Sequence, residues 1–136
     1  MKKRDVKGMT LVELLIATLV FTIALGALLS SMLTVLYLID LAKNQTIAIS
    51  DLRNMMERIR VTVFADTLSL FPNSVVDGQV HNTYQFVVGG YSLNNEHITV
   101  TYADIHSDPL EIKVNLTWAD KRARNHSTTV STFKTR

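Results

Sequence analysis

Residues 7–17 read Lys7-Gly8-Met9-Thr10-Leu11-Val12-Glu13-Leu14-Leu15-Ile16-Ala17, and the chain then stays apolar as far as Ile39. Of the 29 positions from 11 to 39, Glu13 is the one that carries a charge. A helix needs roughly 20 such residues to cross a bilayer, so the stretch predicts a membrane-spanning helix. A secretory signal would close a shorter apolar core with small residues at its cleavage site. Ala24-Leu25-Gly26 mimics such a site, but apolar sequence continues past it. Lys2, Lys3, Arg4 and Lys7 stand just before the span. That basic flank predicts a cytoplasmic N-terminus, with the rest of the chain across the membrane.

Glu13 is the anomaly. A carboxylate in a membrane helix costs about 3 kcal/mol at the bilayer centre and less toward the interface, so it needs a partner. Cleavage between Gly8 and Met9 would give Met9 a new α-amine. Glu13 lies four residues further on, about one helical turn. It can pair with that amine in its own chain or in a neighbouring one. Between identical or similar helices the second pairing would fix axial register, a use of an ion pair for specificity more than for stability.

A short basic leader ending in Gly, an apolar residue, Thr10-Leu11-Val12-Glu13 and a long apolar helix together resemble the type III signal of type IV pilins and type II secretion pseudopilins. The resemblance implies cleavage after Gly8 by prepilin peptidase and N-methylation of Met9. It implies that Glu13 neutralises the Met9 amine of an adjacent subunit during filament assembly. It also implies other pilin or pseudopilin subunits and an inner-membrane assembly platform as partners, with membrane lipid around the span before assembly. The place would be the bacterial inner membrane, single-pass with the globular part in the periplasm, and then the pilus or pseudopilus. Met replaces the more usual Phe at the first mature position. No proline interrupts the helix between Met9 and Ala65, and the chain has no cysteine. The last two features separate it from disulfide-looped major pilins. The Leu116-Thr117-Trp118 strand, polar turn and Ser/Thr-rich last strand resemble small minor pilins and the I-type minor pseudopilin. This N-terminus is common to type IV pili, type II secretion and competence pseudopili, and does not say which machine the subunit serves.

The rest of the chain predicts an α+β fold, a pilin-like lollipop. Residues 1–8 form the leader, 9–39 the transmembrane or filament-core half of a helix running to about residue 62, and 40–136 a globular domain. Beyond Asp40 the helix turns amphipathic. Leu41, Ala48 and Met55, with Gln45, Leu52 and Ile59, make a stripe at coiled-coil-like spacing. Asp51, Arg53, Glu57, Arg58 and Arg60 are expected on the remaining surface. Turn signals at Phe71-Pro72-Asn73 and Asp77-Gly78 place a loop over residues 67–81. Period-two alternation then predicts about four antiparallel strands, around Tyr84/Phe86/Val88, Ile98/Val100/Tyr102, Ile112/Val114/Leu116/Trp118, and from Ser127 to Phe133.

At 136 residues with 14 Lys+Arg and 12 Asp+Glu, the chain is one small domain of mildly basic charge. The excess sits in the leader: beyond it the count is 10 basic against 11 acidic. No Ser/His/Asp set, paired carboxylates or phosphate loop is recognisable, so an enzyme is not expected, nor any cofactor. His81, His97, His106 and His126 match no metal spacing, and the Asp104/His106/Asp108 turn reads as a plain turn. Lys121, Arg122 and Arg124 make a small basic cluster. It supports an alternative, a filament-borne module that binds DNA or surfaces, though nucleic acid is not the expected partner. A plain single-pass sensor domain is the other alternative, but it leaves Glu13 without a role.

Overall fold

The computed structural model describes residues 10–78 and 83–136. In chain order the elements are α1 (Leu11–Val61), α2 (Phe64–Leu70), α3 (Thr83–Val88), β1 (His97–Tyr102), β2 (Leu110–Ala119) and β3 (Asn125–Lys134). The fold is α+β, one long N-terminal helix and a small antiparallel sheet. It divides into two compact units, Met1–Asp40 and Leu41–Arg136.

In the first unit, α1 is a bare apolar helix. Leu15, Leu19, Phe21, Ile23, Leu29 and Leu33 are all more than half exposed. The polar side chains are turned inward to the backbone. Thr18 donates to the Leu15 carbonyl at 2.9 Å, Thr22 to that of Thr18 at 3.0 Å, and Thr34 to that of Ser30 at 3.0 Å. Hydroxyls satisfied this way do not need water, which a hydrocarbon setting cannot supply. By length and composition α1 is able to cross a membrane.

The second unit is built on the sheet, in the order β1-β2-β3 with both pairings antiparallel. The register aligns Val100, Val114 and Val130 across the three strands. Every second residue of β2 is buried: Leu110, Ile112, Val114, Leu116 and Trp118. They meet Ala48, Leu52, Met55, Met56 and Ile59 of α1, with Ile98 and Val100 of β1, Tyr84 of α3 and Phe71. Fully burying one such aliphatic side chain stabilises by about 2 kcal/mol. The outer edge of β1 is covered by residues 73–77. Ser74 N–H donates to the Val100 carbonyl and Asp77 N–H to that of Ile98, each at 2.8 Å.

Four expectations need correction. The sheet has three strands, because Thr83–Val88 is helical. Its aromatic and β-branched residues alternate like a strand, but burial falls on Tyr84 and Val88, four apart, while Phe86 is 78% exposed. Gly89 and Gly90 end this helix: both have positive φ, and Gly90 N–H reaches back to the Gln85 carbonyl at 2.8 Å. That is a helix C-terminal closure, for which glycine is suited. Second, Asp51 is buried rather than solvated, at 7% exposure. Third, Gln45 leaves the stripe and is exposed, while Met56 joins the core. The segment from residue 67 also begins inside a helix, since α1 breaks at Thr62 and Val63 and α2 follows.

Candidate assembly site at the start of the long helix

The first turn of α1 holds the one acidic residue of the apolar stretch. Thr10 precedes the helix and Glu13 is its third residue, the spacing of a capping box. Glu13 N–H donates to Thr10 Oγ1 at 3.3 Å, and Thr10 N–H points back to Glu13 Oε2 at 3.5 Å. The first amides of a helix lack internal acceptors, and its N-terminal dipole favours a carboxylate nearby. Glu13 therefore has a local purpose that the sequence reading missed, although Thr-x-x-Glu ahead of an apolar run is the signature of this cap. The Glu13–Thr10 contact is at the long limit for a hydrogen bond, so the carboxylate is lightly held. Both residues are exposed. Gly8, Met9 and the leader cations Lys2, Lys3, Arg4 and Lys7 lie outside the described residues.

The basic cluster sits in the β2–β3 connection and is organised by a buried carboxylate. Asp120, 4% exposed, accepts Arg122 N–H at 2.8 Å and Arg124 N–H at 2.9 Å on Oδ1. On Oδ2 it takes Arg124 Nε at 2.9 Å and His126 Nε2 at 3.2 Å. These donors, the Arg124 amide first, hold the Asp120 carboxyl below the usual carboxylate range. His126 also stacks on Trp118, ring centroids 5.5 Å apart. Arg124 thereby spends its charge on the turn's own architecture. In the Asp104/His106/Asp108 turn, Asp104 Oδ1 accepts the His106 N–H at 2.9 Å, as in an ordinary Asx turn. Among the described residues no group of three or more His, Cys, Asp or Glu is placed to hold a metal ion. His81 lies outside them.

A further polar cluster was not legible in the sequence. Asp77, with φ of 58°, is 8% exposed. It accepts the Tyr91 hydroxyl at 2.6 Å, His97 Nδ1 at 2.7 Å and Ile98 N–H at 2.9 Å. Burial opposes the charge, but the bonds from Tyr91 and His97 hold this carboxyl low. These bonds fasten the segment before β1.

The family of the prokaryotic N-terminal methylation motif matches residues 3–29. This match takes in Lys3, Arg4 and Lys7 of the leader, Gly8, Met9, Glu13 and the start of the apolar helix. Over those residues the chain is similar to the prepilin-type N-terminus of type IV pilins and pseudopilins. That motif supports a pilin- or pseudopilin-type precursor. With the apolar helix it fits membrane anchoring. No curated protein and no solved structure matches the chain.

Proposed function

We propose that this chain is a minor pilin or minor pseudopilin, a structural subunit of a type IV pilus or type II secretion pseudopilus. Cleavage after Gly8 exposes the Met9 amine, which is then N-methylated. The subunit waits in the inner membrane, with its sheet-bearing unit in the periplasm. Extraction moves the apolar part of α1 from lipid to the neighbouring helices of a filament. Apolar contact is kept throughout, so the transfer costs little.

The observation that carries this reading is Glu13, lightly capped on Thr10 in the first turn of a helix otherwise free of charge as far as Ile39. A neighbour's amine offers a full positive charge, a stronger partner than a long amide contact. An unmatched Glu13 would penalise the wrong register. Because Glu13 is present, the chain can dock beneath another subunit and is not the tip-most kind that lacks this residue. The basic turn gives the DNA-binding alternative little support, since Arg124 is engaged by Asp120.

Two measurements test it. Mass spectrometry of the mature N-terminus is expected to find an N-methylated Met9, whereas an intact Met1 start sinks the proposal. Glu13→Ala is expected to insert and be cleaved normally but to enter filaments poorly. Normal incorporation would remove the register argument.

A further inference from the structure

The two edges of the sheet are finished differently. In an antiparallel ladder each residue turns its N–H and C=O to one side, and successive residues alternate. On β1 the even-numbered residues turn outward: the Ile98 and Val100 carbonyls accept Asp77 and Ser74 N–H, and Ile98 N–H donates to Asp77 Oδ1 at 2.9 Å. The odd-numbered residues of β1 therefore bond to β2, where Thr99 faces Asn115. That leaves the even-numbered residues of β2 for β3, where Val114 faces Val130. The backbone groups of Ser127, Thr129, Ser131 and Phe133 consequently point away from the sheet. Among the described residues they have no partner.

Sheet edges are commonly blunted by lysine, proline or a bulge. β3 pairs without a bulge from Asn125 to Lys134, contains no proline, and turns its one lysine onto the end of α1. Beside this edge a cavity of about 350 Å³ opens between α1 and β3, lined by Arg53, Met56, Glu57, Arg60 and Val130. Met56, 5% exposed, and Val130, 36% exposed, make its apolar part. Arg60 reaches Thr132 Oγ1 at 3.5 Å, and among the described residues Arg53 and Glu57 make no ion pair. Two arginines against one glutamate leave the rim positive. We infer that this edge and cavity form a docking site for an extended segment of a partner protein. The segment lies antiparallel along β3, with an apolar side chain on Met56 and Val130 and a carboxylate beside Arg53 or Arg60. Side chains on one face of a strand recur about every 7 Å, so the two belong to residues two apart.

A second copy of this chain does not supply such a segment. Residues 125–136 contain no acidic residue, so a second β3 would bring His126 and Lys134 on that face and no carboxylate. The outer edge of another copy's β1 is already covered by residues 73–77. In strand addition the main-chain bonds give affinity and the alternate side chains give selectivity. Here the bonds come from the outward groups of β3, and the selection for an acidic strand comes from α1.

Amide exchange of the full chain in detergent micelles tests this, with a short synthetic peptide that bears threonine on one face and alternating valine and glutamate on the other. Without peptide, the amides of Ser127, Thr129, Ser131 and Phe133 should exchange fast and those of Thr128, Val130 and Thr132 slowly. Peptide at ten times its Kd should protect the first set about tenfold. The same peptide N-methylated at its threonines, whose amides face β3, should protect none of them. Replacing its glutamates with lysine should weaken binding about threefold, and Arg53→Glu should narrow or reverse that preference. No protection by the peptide, equal protection by its N-methylated form, or equal binding of the glutamate and lysine peptides overturns the proposal. Protection of the first set that grows with protein concentration alone also overturns it, in favour of a second copy. The N-methylated peptide is read on the wild type, so the test does not depend on how Arg53→Glu folds.

Discussion

Asp120 and Arg124 are joined three times. Asp120 N–H donates to the Arg124 carbonyl at 2.9 Å, Arg124 N–H returns a bond to Asp120 Oδ1 at 2.9 Å, and Arg124 Nε reaches Oδ2 at 2.9 Å. A turn closed by both backbones and one ion pair has a fixed shape. Asp120→Ala should therefore disorder residues 121–124 and raise their amide exchange, while β1 and the first half of β2 hold. The carboxyl is held low in the fold, so its contribution is present above its ordinary value near 3.8 and is lost as pH falls through the lower folded value. After correction for intrinsic rates, protection of the Arg122 and Arg124 amides should thus fall in strong acid and be flat from pH 5 to 8.

Lys134, in the final strand, closes the end of α1. Its ammonium donates to the Ile59 carbonyl at 2.6 Å and also to the Thr62 carbonyl. A cation at a helix C-terminus meets both unpaired carbonyls and the favourable end of the dipole. Lys134→Met keeps much of the aliphatic stem and removes the donors. It should destabilise the second unit by about 1–2 kcal/mol, read from denaturant unfolding in micelles.

Gly89 tests the helical assignment of residues 83–88. Its φ is +89°, and a Cβ there would meet nothing within 4 Å. Any cost of Gly89→Ala is then conformational, about 1–2 kcal/mol. A hairpin strand ending there would tolerate the change differently from a helix closing on glycine. Carbon chemical shifts of residues 84–88 should read helix in the wild type.

Asp51 should also mark the pH profile of overall stability. A carboxyl raised in the fold to about 6 stabilises fully below its ordinary value of 3.8, and that stability is lost as pH rises through about 6. Asp51→Asn is therefore expected to be the more stable protein at pH 7.5, by about 1–3 kcal/mol, with a flatter profile from pH 4 to 7.

Much of the architecture is written in local pattern. The apolar run from Leu11, the stripe of Ala48, Leu52, Met55 and Ile59, and the alternation in β1 and β2 each state their own burial. Tyr84-Gln85-Phe86-Val87-Val88 does not, because so short a segment satisfies both periods and tertiary contact decides between them. The polar clusters were hidden for another reason. Asp77 meets His97 across 20 positions, and Arg60 meets Thr132 across 72. No local periodicity reports such a pairing. Glu13 was legible as an anomaly, but its bond to Thr10 needed the capping-box spacing to be read as well as the charge.

The Lys134–Ile59 contact also orders events in time. It joins residues 75 positions apart, whereas β2 and β3 are joined through a short turn. During synthesis α1 and the β1–β2 pair can form while the last strand is still in the ribosome. The helix end then stays unsealed until residue 134 has emerged, so completion of the second unit waits on its last strand. A polypeptide stalled before that point would carry an unfinished sheet, and quality-control proteases would meet a frayed helix end.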